Sequence, residues 1–225
     1  MITVYRSTAL LLLIAGSLMS QGPINTVPSW NGATYVAHFG VPDTATYGQT
    51  ITVAPGPAVV SSFGFEMGHC NATQTFRGEV YAWDGVKATG PGLFESPVTT
   101  LPASDSFQLV LFNTGALTLP PGAYVIFATT SRDQLTGSQC EWGNVLDTAY
   151  PEGNYVYQNN GADPSQWTSV AWGPQPFDLA FQVNMTPAPP PPAGVPAASP
   201  ATLLLSFAGV IALGLLGLSR LRIAR

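Results

Sequence analysis

Few residues in this 225-residue chain have the types and spacing that chemistry needs. His69 stands beside Cys70, with Glu66 three residues before His69 and His38 far upstream. Zinc sites draw three or four ligands at recognisable spacing, and neither C-x-x-C nor H-E-x-x-H occurs, so this cluster reads as turn polarity and no cofactor is expected. No G-x-S-x-G is present, and two histidines are all that could serve as a base for a nucleophile. Glu66, Glu79 and Asp84 are loose carboxylates that a glycosidase-like pair would need to bring face to face across a cleft. Asp133, Asp147 and Asp163 are acidic loop residues, but their spacing is unlike a calcium-binding loop. Phosphate-cradling glycine patterns are absent as well. The expectation is a protein without catalysis.

Two features remain. Cys70 and Cys140 are the only cysteines, and both follow strand-like segments. In an oxidising compartment they would pair, closing a loop of about 70 residues and contributing roughly 4 kcal/mol; two free thiols are the alternative. Trp142, Trp167 and Trp172 lie in turn-rich stretches with Asn and Gln nearby. Exposed on one concave face, they would contact the rings of an extracellular polysaccharide. Buried, they would pack the ends of a sandwich with each indole N–H reaching a partner.

The elements that must position these residues are short. Strand signals recur at 34–39, 49–54, 59–66, 76–83, 106–113, 124–130, 155–158 and 177–184. Phe107-Gln108-Leu109-Val110-Leu111 alternates with one apolar face, the mark of a half-buried antiparallel strand. Pro55-Gly56-Pro57, Asp84-Gly85, Gly90-Pro91-Gly92, Pro120-Pro121-Gly122 and Glu152-Gly153-Asn154 punctuate them with turn chemistry. No helical stripe of ten residues occurs between 23 and 186. The expected fold is all-β: an antiparallel β-sandwich, jelly-roll-like, over 23–186.

Composition agrees. Charged residues make up 8% against 11% aromatics, with 23 glycines and 21 prolines, which suits short strands and uncharged turns. All twelve acidic residues lie between Asp43 and Asp178, where only Arg77, Lys87 and Arg132 oppose them, a balance of −9. Such a surface repels phosphate, so no nucleic-acid partner is expected.

Both ends carry export signals. Arg6 and the eleven-residue, mainly apolar run 9–19 read as a signal peptide over 1–22, with small residues Ser20 and Gly22 near a cleavage point. At the other end, 201–219 is nineteen residues without a charge, about 28 Å as a helix, near the thickness of a hydrocarbon core. Arg220, Arg222 and Arg225 follow in a basic tail, 220–225, which places that end in the cytoplasm and the preceding domain outside. Residues 187–200 (PAPPPPAGVPAASP) form an extended linker reaching up to roughly 40 Å. Three terminal arginines argue against a GPI signal.

This tripartite tail resembles the PEP-CTERM class of bacterial sorting signals. The matching residues are Val195-Pro196 and then Ser199-Pro200-Ala201-Thr202-Leu203-Leu204-Leu205, with Ser199 where the family has Glu. The resemblance implies an exosortase-type processing enzyme as partner and a location at the cell envelope or surface. Tyr47 to Val53, Val80 to Gly85 with Thr89-Gly90-Pro91, and Phe177 to Phe181 resemble ectodomains borne on such tails. That likeness implies a sandwich and assigns no site. The function expected is a structural or matrix-interaction role at the surface, with a displayed carbohydrate-binding module as the alternative and a secreted hydrolase third.

Overall fold

The computed structural model describes residues 22–41, 43–133, 137–146 and 148–190. Contacts divide the chain into two units, Met1–Ala188 and Pro189–Arg225. Every described strand belongs to the first. The signal segment, most of the proline-rich linker, the apolar 201–219 stretch and the basic end lie outside the described residues. Among the described residues no helix is long and apolar enough to cross a membrane.

The strands are β1 (Ile24–Asn25), β2 (Tyr35–Phe39), β3 (Thr46–Val53), β4 (Ala58–Gly68), β5 (Gln74–Trp83), β6 (Ala88–Glu95) and β7 (Thr99–Leu101). They continue with β8 (Gln108–Leu119), β9 (Gly122–Thr129), β10 (Cys140–Val145), β11 (Tyr155–Gln158), β12 (Gly173–Pro174), β13 (Asp178–Leu179) and β14 (Phe181–Pro187). Among the described residues helix is confined to a 3-10 turn at Val27–Ser29 and one α turn, α1, at Gln166–Ser169.

Two antiparallel sheets result. The first runs β1-β14-β4-β10-β13, with β8 paired to β4 and β2 to β10. The second runs β12-β11-β3-β9-β5-β6, with β7 on β5. Their inner faces share one core: Phe63, Phe65, Phe112 and Val183 from the first sheet meet Ile51, Phe76, Val80 and Ile126 from the second. Alternation within each strand supplies these faces, as in Val110 and Phe112 inward with Leu109 and Leu111 outward. This is a β-sandwich.

The second sheet is covered on its outer face too. Tyr81, Val125, Phe127 and Val156 point away from the shared core and pack beneath Trp167 and Trp172, carried over them by the 159–175 segment. That double burial explains why β3 and β9 read as nearly continuous buried runs. Thr46, Thr129, Ser131 and Asn160 tie the covering segment down. Thr46 Oγ1 bonds Asn160 Oδ1 and shares a hydrogen with Thr129 Oγ1, both at 2.8 Å, and Asn160 Nδ2 donates to Ser131 Oγ at 2.8 Å.

Cys70 and Cys140 form the expected disulfide, joining the end of β4 to the start of β10.

Candidate functional site

Of the two roles open to the three tryptophans, sugar contact is corrected: all three are interior. Trp142 is 0%, Trp167 1% and Trp172 4% exposed. Trp142 points inward from β10 because strand alternation turns Glu141 and Gly143 to the other face. Its ring packs against Phe65, Phe39 and Tyr47 at 4.6–5.4 Å between centroids. Trp167 and Trp172 cover Phe127 edge-on at 5.1 and 5.2 Å. Their indole N–H groups find partners: Trp167 donates to Thr46 Oγ1, and Trp172 to the Trp167 carbonyl.

The aromatic surface lies elsewhere, on the outer face of the first sheet. Glycines clear its floor. A Cβ on Gly143 would sit 2.8 Å from the Trp30 ring, so Trp30 rests directly on β10. One on Gly68 would meet the Ser106 carbonyl oxygen at 2.4 Å, so the 106–107 segment crosses the end of β4. Phe107 then stands edge-on to Trp30 at 5.0 Å and lies against His69 at 4.5 Å. Tyr35, 48% exposed and paired with Gly143 in the strand register, completes the group at 5.9 Å from His69. Two neighbouring leucines, Leu109 and the exposed Leu111, extend it along β8.

Polar groups frame this platform. His69 Nδ1 is 2.6 Å from Glu141 Oε2. Glu66 lies beside Leu109 in the register, and burial raises its carboxyl above the usual carboxylate range. Trp30 is locked by its Nε1 donating to the Thr34 carbonyl at 2.7 Å. The three cations of the described residues, Arg77, Lys87 and Arg132, belong to β5, the β5–β6 turn and the segment after β9, all on or beside the other sheet.

A second concavity opens where β2 faces β3 and β11. It encloses about 260 Å³ and is lined chiefly by Tyr47, Tyr155, Tyr157, Phe177, Thr44 and Gln175. Tyr155 is sandwiched between Tyr157 and Phe177, at 6.0 and 5.5 Å with planes within 30°. Burial raises the Tyr47 and Tyr155 hydroxyls above their ordinary range, so both stay protonated as donors.

Of the loose carboxylates, Glu79 is opposed to Glu95 across the β5–β6 pair. Glu79 is 1% exposed, and its Oε1 has no hydrogen-bond partner among the described residues. Arg132 lies 3.9 Å from it, stacks on Trp167 at 5.2 Å and pairs with Glu95 at 2.8 Å. Arg77 bridges Glu95 and Asp133 at 2.6 and 2.8 Å. Desolvation lifts the Glu79 carboxyl to about 8. Of the pair, Glu79 is buried while Glu95 is exposed and held by Arg77 and Arg132, Glu66 lies on β4 of the other sheet, and Asp84 follows β5 in the turn to β6. Among the described residues no group of three His, Cys, Asp or Glu side chains could hold a metal ion.

Trp30, Tyr35 and Phe107 were not singled out by sequence reasoning. Trp30 and Tyr35 sit by a turn and a strand start, where a lone aromatic has no pattern to show which way it faces. Phe107 instead heads the alternating 107–111 run, whose Phe107, Leu109 and Leu111 face lies outside and whose Val110 joins Phe112 in the core. The readable signal is the glycine opposite: Gly143 and Gly68 stand at strand positions where a side chain is otherwise favoured.

The described residues define an all-β two-sheet sandwich. No protein-family model matches the sequence, and no curated protein matches it. Among solved structures it is similar to the cysteine protease and lectin-like domains of Cwp84, a surface layer associated protein of Clostridium difficile. That match has 10% identity and a TM-score of 0.45 over 65% of this chain and 33% of that one. A structure of clostridial Cwp84 after propeptide cleavage gives 11% identity and a TM-score of 0.46, over 70% and 38%. A Podospora anserina GH26-CBM35 β-(1,4)-mannanase gives 12% and 0.35, over 78% and 27%. The chain thus spans well under half the length of each, and no site is carried over from them.

Proposed function

We propose that this protein is an exported, non-catalytic module displayed at the cell envelope, where the outer face of its first sheet contacts extracellular polysaccharide. The observation that carries this is the cluster of Trp30, Tyr35, His69 and Phe107 on a glycine-cleared sheet face. Aromatic faces held rigid in the free state bind sugar rings at small entropic cost, and the flanking carboxylates and imidazole supply hydrogen bonds to hydroxyls. Glu79 is buried and Arg132 ties it to the exposed Glu95, an ion-paired arrangement that lends no support to hydrolysis. The scaffold is of jelly-roll type, a reading supported by the strand orders β1-β14-β4-β8 and β3-β9-β5-β6. A signal peptide, a single C-terminal membrane helix and a PEP-CTERM-like tail open to an exosortase-type enzyme complete the proposal, resting on the sequence alone.

The test is depletion of full-length, detergent-solubilised protein by insoluble polysaccharides. The wild type should be retained and the Trp30→Ala/Tyr35→Ala variant should not, while the variant still melts cooperatively within a few degrees of the wild type. Equal retention of both would overturn the assignment of this face.

A further inference from the structure

The pocket between β2 and β11 is an open mouth of the sandwich interior. Tyr47 and Tyr155 belong to the shared core, and the half-buried Val36, Tyr157 and Phe177 pack against it. The register explains why. Tyr157 lies opposite Tyr47 of β3, and Tyr155, two residues back, turns the same way. All three tyrosines therefore point inward, where the two sheets part to leave about 260 Å³. Gly173 gives Tyr157 its place: it pairs with Tyr157 across β11 and β12, and a Cβ there would stand 2.6 Å from the ring, so the ring leans on β12.

The polar lining is uncharged and already ordered. Tyr47 hydrogen-bonds with the hydroxyls of Tyr155 and Thr44. Thr44 gives its own hydrogen to Asn159 Oδ1 at 2.7 Å, so it accepts from Tyr47, and Tyr47 in turn accepts from Tyr155. Each hydrogen in this string is spent within it, and the capacity left over is that of oxygen lone pairs. Gln175 adds a side-chain amide, a donor and an acceptor in one group. No charged side chain lines the space, and the charge felt by Tyr47 is the Asp43 carboxylate.

We infer that this mouth holds the terminal ring of a neutral glycan, one pyranose walled by Tyr157 and Phe177 and donating hydroxyl hydrogens to the tyrosine–threonine string, while the following rings cross β2 onto the aromatic platform. The inference rests on the glycan reading above and deepens it. Strand β2 joins the two places, because it is an edge of its sheet with the exposed Tyr35 on the platform and Val36 turned into the pocket. Three observations choose the ligand. Sites for drug-sized molecules run from about 300 Å³ upward, so this smaller space admits one ring and not a length of chain. An anion would meet Asp43 with no cation to pair with it. A wholly apolar ring would strip water from the string's oxygens and return no donor.

The experiment uses full-length protein in a zwitterionic detergent without a sugar head. Its ligands are the methyl pyranosides of glucose, mannose and N-acetylglucosamine, with the methyl glycoside of glucuronate as the charged comparison. Saturation-transfer NMR and calorimetry read the binding. A neutral pyranoside should bind with a Kd on the order of millimolar, and Tyr157→Ala and Gln175→Ala should each weaken it about tenfold. Gln175→Ala keeps the test open if Tyr157→Ala fails to fold. The Gln175 backbone amide donates to the Tyr155 carbonyl at 2.9 Å, so truncating its side chain leaves the loop in place. Pyranoside binding that the folded pocket variants leave unchanged would overturn this site. Absence of pyranoside binding in a protein that insoluble polysaccharide still retains would overturn the terminal-ring site and leave the platform standing. Preference for the glucuronate would overturn the ligand class. A protein that binds no pyranoside and is retained by no polysaccharide would overturn both readings.

Discussion

His69 Nδ1 stands 2.6 Å from Glu141 Oε2, and each of the two residues is the chain neighbour of one half of the Cys70–Cys140 disulfide. The covalent link thus fixes the same strand ends that carry the polar edge of the platform. His69 is held at a positive φ of 45°, the one such non-glycine residue among those described. A histidine there is uncommon and is kept only where its surroundings determine it, here by the half-cystine beside it, Glu141 and Phe107. Replacing both cysteines by serine should cost about 4 kcal/mol, the loop-closure value for 70 residues. Chaotrope unfolding with and without reductant would measure it. An unchanged midpoint in the double variant would show that the sandwich alone sets this corner.

The aromatic residues divide by role, and stability should divide them the same way. Trp142→Ala and Trp167→Ala each empty a fully buried site and should cost about 3–5 kcal/mol. Trp30→Ala, on the half-exposed platform, should cost only about 1 kcal/mol while removing glycan retention. Thermal melts of the three variants decide the matter. A Trp30 variant as damaged as the Trp142 variant would make Trp30 a packing residue.

Much of the sandwich was legible from alternation and turn chemistry, and the exceptions have physical causes. The segment 155–158 is a strand as read, and the Pro120–Pro121 turn joins β8 to β9. Strand β6 was hidden because Gly90, Pro91 and Gly92 spell a turn. They are tolerated in β6 because it is an edge strand, where proline removes no ladder bond that matters. Strand β10 was hidden because Gly143 and Asn144 are poor strand formers, yet the glycine is what admits Trp30. The sequence left Trp167 and Trp172 open between sugar contact and packing because turn-rich composition signals irregular backbone and does not by itself decide exposure. That irregular segment packs over an already paired sheet.

Stability should fall as pH rises from about 4.5 to about 8. Glu79 has its ordinary value of 4.5 in the unfolded chain and about 8 in the fold, so the fold holds its proton more tightly. Its contribution is full below 4.5 and lost as pH rises through 8. Asp178 and Glu66, both raised chiefly by burial, act in the same direction. The lowered carboxyls Asp84 and Asp163 act only below their ordinary value of 3.8. Glu79→Gln, a neutral shape match, should flatten the slope and stabilise the protein at pH 8 by about 1–3 kcal/mol. Denaturation free energies at pH 5, 6.5 and 8 test this, and a wild-type stability that climbs toward pH 8 would refute it.

Membrane orientation yields a separate expectation from the sequence. Protease added to intact spheroplasts should digest the sandwich and spare the Arg220–Arg225 end, because arginines beside a spanning helix stay in the cytoplasm. Digestion that required lysis would reverse the orientation.

Gly143 offers the sharpest probe of how the platform is built. A methyl group there would lie 2.8 and 2.9 Å from two ring carbons of Trp30 and 3.1 Å from the Ala180 methyl. Ala180 cannot retreat, since its amide bonds the Gly143 carbonyl at 2.7 Å, so the indole must lift. Lifting it strains the Trp30 Nε1 bond to the Thr34 carbonyl and moves the ring out of register with Phe107. Gly143→Ala should therefore weaken glycan binding about tenfold and cost only about 1–3 kcal/mol of stability, within the range for inserting one methyl against a packed ring. Binding at wild-type strength in a folded Gly143→Ala protein would mean that contact of Trp30 with the sheet is not what arranges the surface.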